Sequence, residues 1–261
     1  EKIVEADTNA EPSTRRMVGV IQSSYLPWKG FFDVVASVDE FVLLDDVQFT
    51  RRDWRNRNRI KGVDGTGWIT IPVQAKGRFD QLVQDVRIAD PRWNSKHWRA
   101  IQHTYSSAPY FEEYRESFEE LLLGSNDEYL SPLNRRCIEW VCRALGINTR
   151  ITWSSELDTR PDRNERLIDI CQALDATTYL SGPTASGYVD TMLFESEGID
   201  VVYMDYSYPE YPQLGSGFEH KVSIIDVLFN AGPEAPQLAR SERLPTGSPG
   251  GNHNESHRGL P

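Results

Sequence analysis

"IQSSYLPWKGFFDVVASVDEFVLLDDVQFT", residues 21–50, is the stretch whose reading decides the fold. An apolar run from Met17 to Gln22 leads into it, as a buried strand does. A Tyr-Leu-Pro-Trp-Lys-Gly corner follows, in which Pro27 suits a first helical turn. Phe31, Phe32, Val34, Val35 and Val38 then give a helix-like apolar face, and "EFVLLDDVQF" returns to strand character. A strand, a short helix and a second buried strand make a βαβ unit, which is parallel and right-handed.

Outward from this unit, "GWITIPV" reads as a third strand, and "GVDGTG" before it as a hairpin turn. Residues 92–145 carry apolar side chains at three- and four-residue spacing and read as a helical block. "TRITWSS", "ATTYLSG" and "IDVVYMDY" are strand-like, with the helical "RNERLIDICQAL" between the first two. The alternation predicts an α/β protein: a parallel-sheet, Rossmann-like layer fold with an inserted helical block. Residues 16–230 are expected to form a single domain. The acidic lead-in 1–15 and the Pro-, Gly- and Ser-rich stretch 231–261 are expected to be disordered tails.

The chain has 261 residues, 39% of them hydrophobic, and a net charge of -11. That charge argues against a general nucleic-acid or anionic-membrane binder. Apolar runs fall short of the ~18 residues of a membrane span, so no membrane partner is expected. Cys137, Cys142 and Cys171 do not make a disulfide framework, which favours a reduced, cytoplasmic protein.

In a parallel α/β sheet, ligands collect at the carboxyl ends of the strands. Here those ends are Gln22-Ser23-Ser24-Tyr25, Asp45-Asp46, Ser154-Ser155-Glu156, Ser181-Gly182-Pro183 and Asp205-Tyr206. Their convergence puts the Tyr-Leu-Pro-Trp-Lys-Gly corner on the ligand-facing rim. Tyr25, Trp28 and Trp54 have the flat faces that stack on a sugar or base, although aromatics more often fill a core. "RRDWRNRNRIKG" packs six cations into an acidic chain. Arg57, Arg59 and Lys61 alternate, so on a strand they face one way and suit a phosphate or carboxylate; a solvated charged loop is the competing reading.

Asp45 and Asp46 point to opposite faces of a strand, so at most one serves the site. Neither these nor any other residues show a recognised metal-ligand spacing, and no metal or other cofactor is expected. His97 and His103 lie about 600° apart on a helix and do not share a pocket readily. The loop "YLSGPTASGYVD", with Ser181, Gly182 and Tyr188, offers backbone N–H groups to an oxyanion, or is an ordinary strand-to-helix turn. Gln213 and Glu219 are placed on the rim. Cys171 shares an apolar helical face with Leu167, Ile170 and Leu174, which favours a buried residue over a nucleophile.

Several blocks closely resemble the WbqC-like family, known from bacterial O-antigen and specialised-metabolite gene clusters. They are "QSSYLPWKGFFD", "DEFVLLDDVQFTRRDWRNRNRIK", "WITIPV", "KHWRAIQHTYSSAPYFEEY", "RLIDICQALDATTYLSG" with "GYVD", and "YPQLGSGFEHKVSIIDVLFNAG". Ser23-Ser24 depart from the Gln-Pro-x-Tyr expected at the start, which leaves substrate identity less transferable. The resemblance implies transfer of an activated aminoacyl group, such as glycine, to an amine such as an amino sugar, with the donor free or bound to a carrier protein. His97, inside a family block, is the preferred general base on this reading; Asp46 or Glu219 is the next candidate, and Cys171 serves if the route passes through an acyl-enzyme.

The opening also resembles the HUP-class nucleotidyltransferases and synthetases, which implies a HUP-like fold. Those proteins place a small-x-His-x-Gly-His corner after the first strand. Here the corner ends Gly30-Phe31 and no His precedes His97. An ATP-dependent ligase or nucleotidyltransferase of HUP type and a non-catalytic binding module for a carrier or sugar nucleotide are the alternatives to a transferase.

Overall fold

In the computed structural model, which describes residues 15–247, five parallel strands form the central sheet. They are β1 (Met17–Ile21), β2 (Glu40–Leu43), β5 (Arg150–Trp153), β6 (Thr178–Ser181) and β7 (Asp200–Tyr203), in spatial order β5-β2-β1-β6-β7. Helix α1 (Lys29–Ser37) connects β1 to β2, as the opening stretch predicts. The chain builds outward from β1 through β2 to β5, then crosses back to lay down β6 and β7 on the other side. The order therefore reverses between β1 and β6, the place where doubly wound folds gather ligands at the strands' carboxyl ends.

The strands are apolar almost throughout because both faces of the sheet are covered. Val18, Val20 and Val42 face one way, against α5 (Arg163–Ala173) and α6 (Thr191–Ser196). Phe41 and Leu43 face the other way, against α1 and a larger core that includes the helical block. That block is α2 (Trp93–Tyr105), α3 (Phe111–Leu123) and α4 (Leu130–Ala144), within the span expected from its periodicity.

"GWITIPV" contributes β4 (Gly65–Thr70), which pairs antiparallel with β3 (Arg57–Gly62) in a separate two-stranded sheet. Val63-Asp64 alone link the two strands, and a two-residue connection permits only a hairpin. Arg57, Arg59 and Lys61 do alternate along β3.

The chain past residue 230 departs from expectation. Helix α7 (Ile224–Ala231) runs into a 3-10 turn and α8 (Ala235–Leu238). Ala235 and Ala239 are buried in the main core. The Ser241 N–H donates to Asp33 at 2.9 Å, and Tyr203 and Thr246 form an isolated antiparallel bridge. The expected tail boundary at 231 is thus too early: two small apolar side chains and a few backbone bonds tie this Pro-rich stretch down. The rest of the expected tails, 1–14 and 248–261, lies outside the described residues. Among the described residues no helix is long and apolar enough to cross a membrane.

Candidate functional site

The corner after β1 is held from several sides. Tyr25 N–H donates to the Trp54 carbonyl at 3.2 Å, and Asn58 Nδ2 donates to the Leu26 carbonyl at 2.8 Å. Ile224 N–H, at the start of α7, donates to the Pro27 carbonyl at 2.8 Å. Leu26 sits at φ 42, a left-handed conformation that costs a leucine about 1–3 kcal/mol and persists only under such bracing. The Trp28 ring lies across Gly30, where a Cβ would fall 2.2 Å from Cζ2, so only glycine fits there. Trp28 then meets Tyr206 and Tyr208 edge-on, at 5.0 and 5.8 Å between ring centres. The corner is thus rigidly braced at the carboxyl end of β1.

Between Trp28 and Gly30 stands Lys29, the first residue of α1. It is 2% exposed, yet its Nζ has no hydrogen-bond partner among the described residues. The rings of Tyr208, Tyr211 and Phe218 surround Nζ at 4.9, 5.3 and 5.4 Å. Burial lowers its pKa to about 8, against the opposing pull of Asp226 and Glu210. π faces stabilise an ammonium only in part, and water is excluded. Lys29 is therefore a caged amine that gives up its proton close to neutral pH.

Beside the cage lies a buried carboxylate network. Asp226 accepts from Tyr211 Oη at 2.6 Å, Gln213 Nε2 at 2.7 Å and Tyr105 Oη at 2.9 Å. Burial raises the Asp226 pKa, while those three donors and nearby Lys61 pull it down. Gln213 also fixes the covering segment, donating to the Glu219 carbonyl at 3.0 Å and accepting from its N–H at 2.9 Å. Lys61 Nζ donates to the Leu214 carbonyl, and Arg59 reaches Glu219 at 3.2 Å. Gly215, at φ 76, packs onto the β3–β4 turn, where a Cβ would lie 2.7 Å from the Val63 carbonyl oxygen. The 213–220 segment is in this way laid over Lys29.

A second buried polar cluster joins the ends of β1 and β2. Asp45 accepts from Ser23 N–H at 2.8 Å and from Ser131 in the first turn of α4. Arg55 donates to Ser24 Oγ at 2.7 Å and weakly to the Gln22 carbonyl at 3.4 Å; burial lowers its pKa. Asn134 donates to Ser23 Oγ and to the Arg55 carbonyl at 3.1 and 2.9 Å. These bonds fix the geometry of the strand ends beneath the corner.

The residues singled out by sequence divide accordingly. Trp28, Lys61, Gln213 and Glu219 gather around Lys29 and Asp226, and Gly182 joins them through Tyr206, whose hydroxyl lies 3.5 Å from the position of a Gly182 Cβ. Arg57 and Arg59 share the expected face but are directed to protein partners: Arg57 to the Trp68 ring at 4.3 Å and the Arg52 carbonyl, Arg59 to Glu219 and Thr66. Asp46 accepts from Ser154. Ser181 accepts from the Tyr179 hydroxyl, and Arg163 covers Tyr188 at 4.7 Å. The loop expected to offer N–H groups is wound into a 3-10 turn in which Ala185, Tyr188 and Val189 donate inward.

His97 and Cys171 lie apart from this site. His97 is 6% exposed, with Nδ1 2.9 Å from the Tyr25 hydroxyl and Nε2 3.1 Å from the Thr70 carbonyl. A carbonyl can only accept, so Nε2 carries the proton and Nδ1 accepts from Tyr25. Burial lowers its pKa to about 4, leaving a weak base with both nitrogens occupied. Cys171 is fully buried beneath the opposite sheet face, and burial pushes its thiol up to about 12. Both side chains are buried in this arrangement.

Lys29, Asp226, Tyr208 and Tyr211 carry no motif in the sequence. Lys29 stands inside the Tyr-Leu-Pro-Trp-Lys-Gly corner, and that position is its only signal.

The WbqC-like protein family matches residues 22–238, and the chain belongs to it. It is similar to an uncharacterised protein of Mycobacterium tuberculosis, 46% identical over 226 residues that cover 86% of this chain and 98% of that protein. No solved structure matches.

Proposed function

We propose that this WbqC-like protein is an amide-forming transferase that moves an activated acyl group, aminoacyl on the family's suggestion, to an amine such as an amino sugar. The observation that carries the reading is Lys29: a caged amine at the reversal of strand order, with a pKa of about 8. Amide formation needs a group that takes a proton from nitrogen, and a base works best when its pKa lies near the working pH.

In this scheme the neutral acceptor amine attacks the donor carbonyl, forming the N–C bond and placing the electron pair on oxygen. Neutral Lys29 Nζ takes a proton from the attacking nitrogen. The tetrahedral adduct collapses, the bond to the leaving group breaks with its electron pair, and Lys29 returns the proton to that group or to solvent. Tyr208, Tyr211 and Phe218 exclude water from the amine. Phe218 and its segment lift to admit the substrates, since Nζ is covered without them.

The strand order favours a second reading, an ATP-dependent ligase of HUP type, because its reversal at β1 and β6 is where doubly wound folds hold nucleotides. The two are separated by incubating the protein with glycyl thioesters or with glycine and ATP, each with a panel of amino sugars. Amide product from the thioester without ATP supports transfer. Pyrophosphate release with ATP and free glycine supports ligation.

A further inference from the structure

A cavity of about 280 Å³ opens toward the C-terminal end of α1, further along the helix from Lys29, between α1, the loop after α4 and α8. Phe32, Ala36, Leu145, Ile147 and Ala239 give it one apolar wall, Asn148 and Thr149 line it as well, and Arg240 stands among them. The Arg240 Nε reaches Asp33 at 3.4 Å, while its two Nη groups donate to no protein acceptor among the described residues. Asp33 is 2% exposed and is committed elsewhere, accepting from Ser241 N–H at 2.9 Å and from the Tyr208 hydroxyl at 3.0 Å. A recess with apolar side chains on one side and one oriented, half-used guanidinium is a receptor for a group that accepts two parallel hydrogen bonds.

We propose that this cavity binds a small molecule with a compact apolar body and a carboxylate, the carboxylate bridging the two Arg240 Nη groups. The volume is sufficient, since a cavity of ~150 Å³ already holds a benzene ring. Arg240 keeps its Nε on Asp33 when so occupied. The ligand is thereby connected through Asp33 to Tyr208, a wall of the Lys29 cage. Occupancy of the cavity stands apart from the transferase reading; the effect on Lys29 chemistry rests on it.

The test uses sodium benzoate, with benzyl alcohol as the uncharged control, titrated into the full chain and followed by NMR. Benzoate is expected to saturate, with benzyl alcohol at least tenfold weaker, and the Tyr208 ring resonances are expected to move. Arg240→Gln, at a half-exposed position that leaves the core intact, and Ala36→Leu, which fills the recess, should each weaken benzoate at least tenfold. Absence of saturation, equal binding of the alcohol, or undiminished binding by Arg240→Gln would overturn the proposal. Saturation with an unmoved Tyr208 would overturn the link to the cage. A Lys29 variant that keeps full transfer activity would remove the functional reading and leave the benzoate result untouched.

Discussion

Tyr211 joins Lys29 to Asp226: its ring centre lies 5.3 Å from Lys29 Nζ, and its hydroxyl donates to Asp226 at 2.6 Å. One side chain thus screens the amine from water and anchors the carboxylate that opposes the loss of its charge. Without Asp226 the Lys29 pKa would fall further; without the aromatic walls it would return toward 10.5.

The first consequence concerns stability. Lys29 titrates lower folded than unfolded, about 8 against 10.5, so between those values the unfolded chain binds more protons and stability rises with pH. Below pH 8 the cost of burying the charge is present in full, about 3 kcal/mol at ~1.4 kcal/mol per unit. Lys29→Met is therefore expected to raise the melting temperature at pH 7 while transfer falls by about 10²–10⁴. Chemical denaturation at pH 7 checks it; a destabilised variant would mean that Lys29 holds the fold together.

Asp226→Asn removes the charge that favours the Lys29 ammonium. The midpoint of the basic group in the pH–rate profile should move below 8, and the profile should rise at lower pH than in the wild type. An upward shift would show that another group is being titrated.

His97 makes a prediction of opposite character. Its pKa is about 4 folded against 6.5 unfolded, so the native state binds fewer protons in that window. Stability should fall as pH drops from 6.5 to 4, by about 3 kcal/mol in all. His97→Gln should flatten this acid limb and lose stability at pH 7 through the Tyr25 and Thr70 bonds. Folded His97→Gln is expected to keep most transfer activity, and a loss of 10² or more would restore His97 as the base.

Gly30→Ala places a methyl group inside the Trp28 ring. Overpacking of this kind costs about 1–3 kcal/mol, and here it should also displace Trp28 from Tyr206 and Tyr208. Lowered stability with an altered tryptophan emission spectrum is expected; an unchanged spectrum would show that the wall tolerates the shift.

Much of the framework was legible in the sequence because it follows from periodicity. Continuous apolar strands, three amphipathic helices and a two-residue turn each imply their local structure without a partner. The site was legible only by position. Trp28, Gln213 and Glu219 were placed on the rim because they follow strands or lie near them. Lys29 was missed because a lysine in a first helical turn ordinarily snorkels into water. What buries it is Tyr208, Tyr211 and Phe218, distant in sequence and brought over it by the return of the chain after β7. The setting of His97 is equally hidden in the sequence, since Tyr25 and Thr70 occupy its nitrogens only after folding. The stretch from 231 reads as a tail by composition, yet Ala235 and Ala239 are small enough to enter a core.

The most direct test is the titration of Lys29 itself. The protein labelled with [ε-¹³C]lysine would be followed by NMR from pH 6 to 11, with the Lys29 resonance assigned by its loss in Lys29→Arg. A midpoint near 8, moved lower in Asp226→Asn, is the expected result. A midpoint near 10.5, shared with surface lysines, would contradict the caged amine and the mechanism built on it.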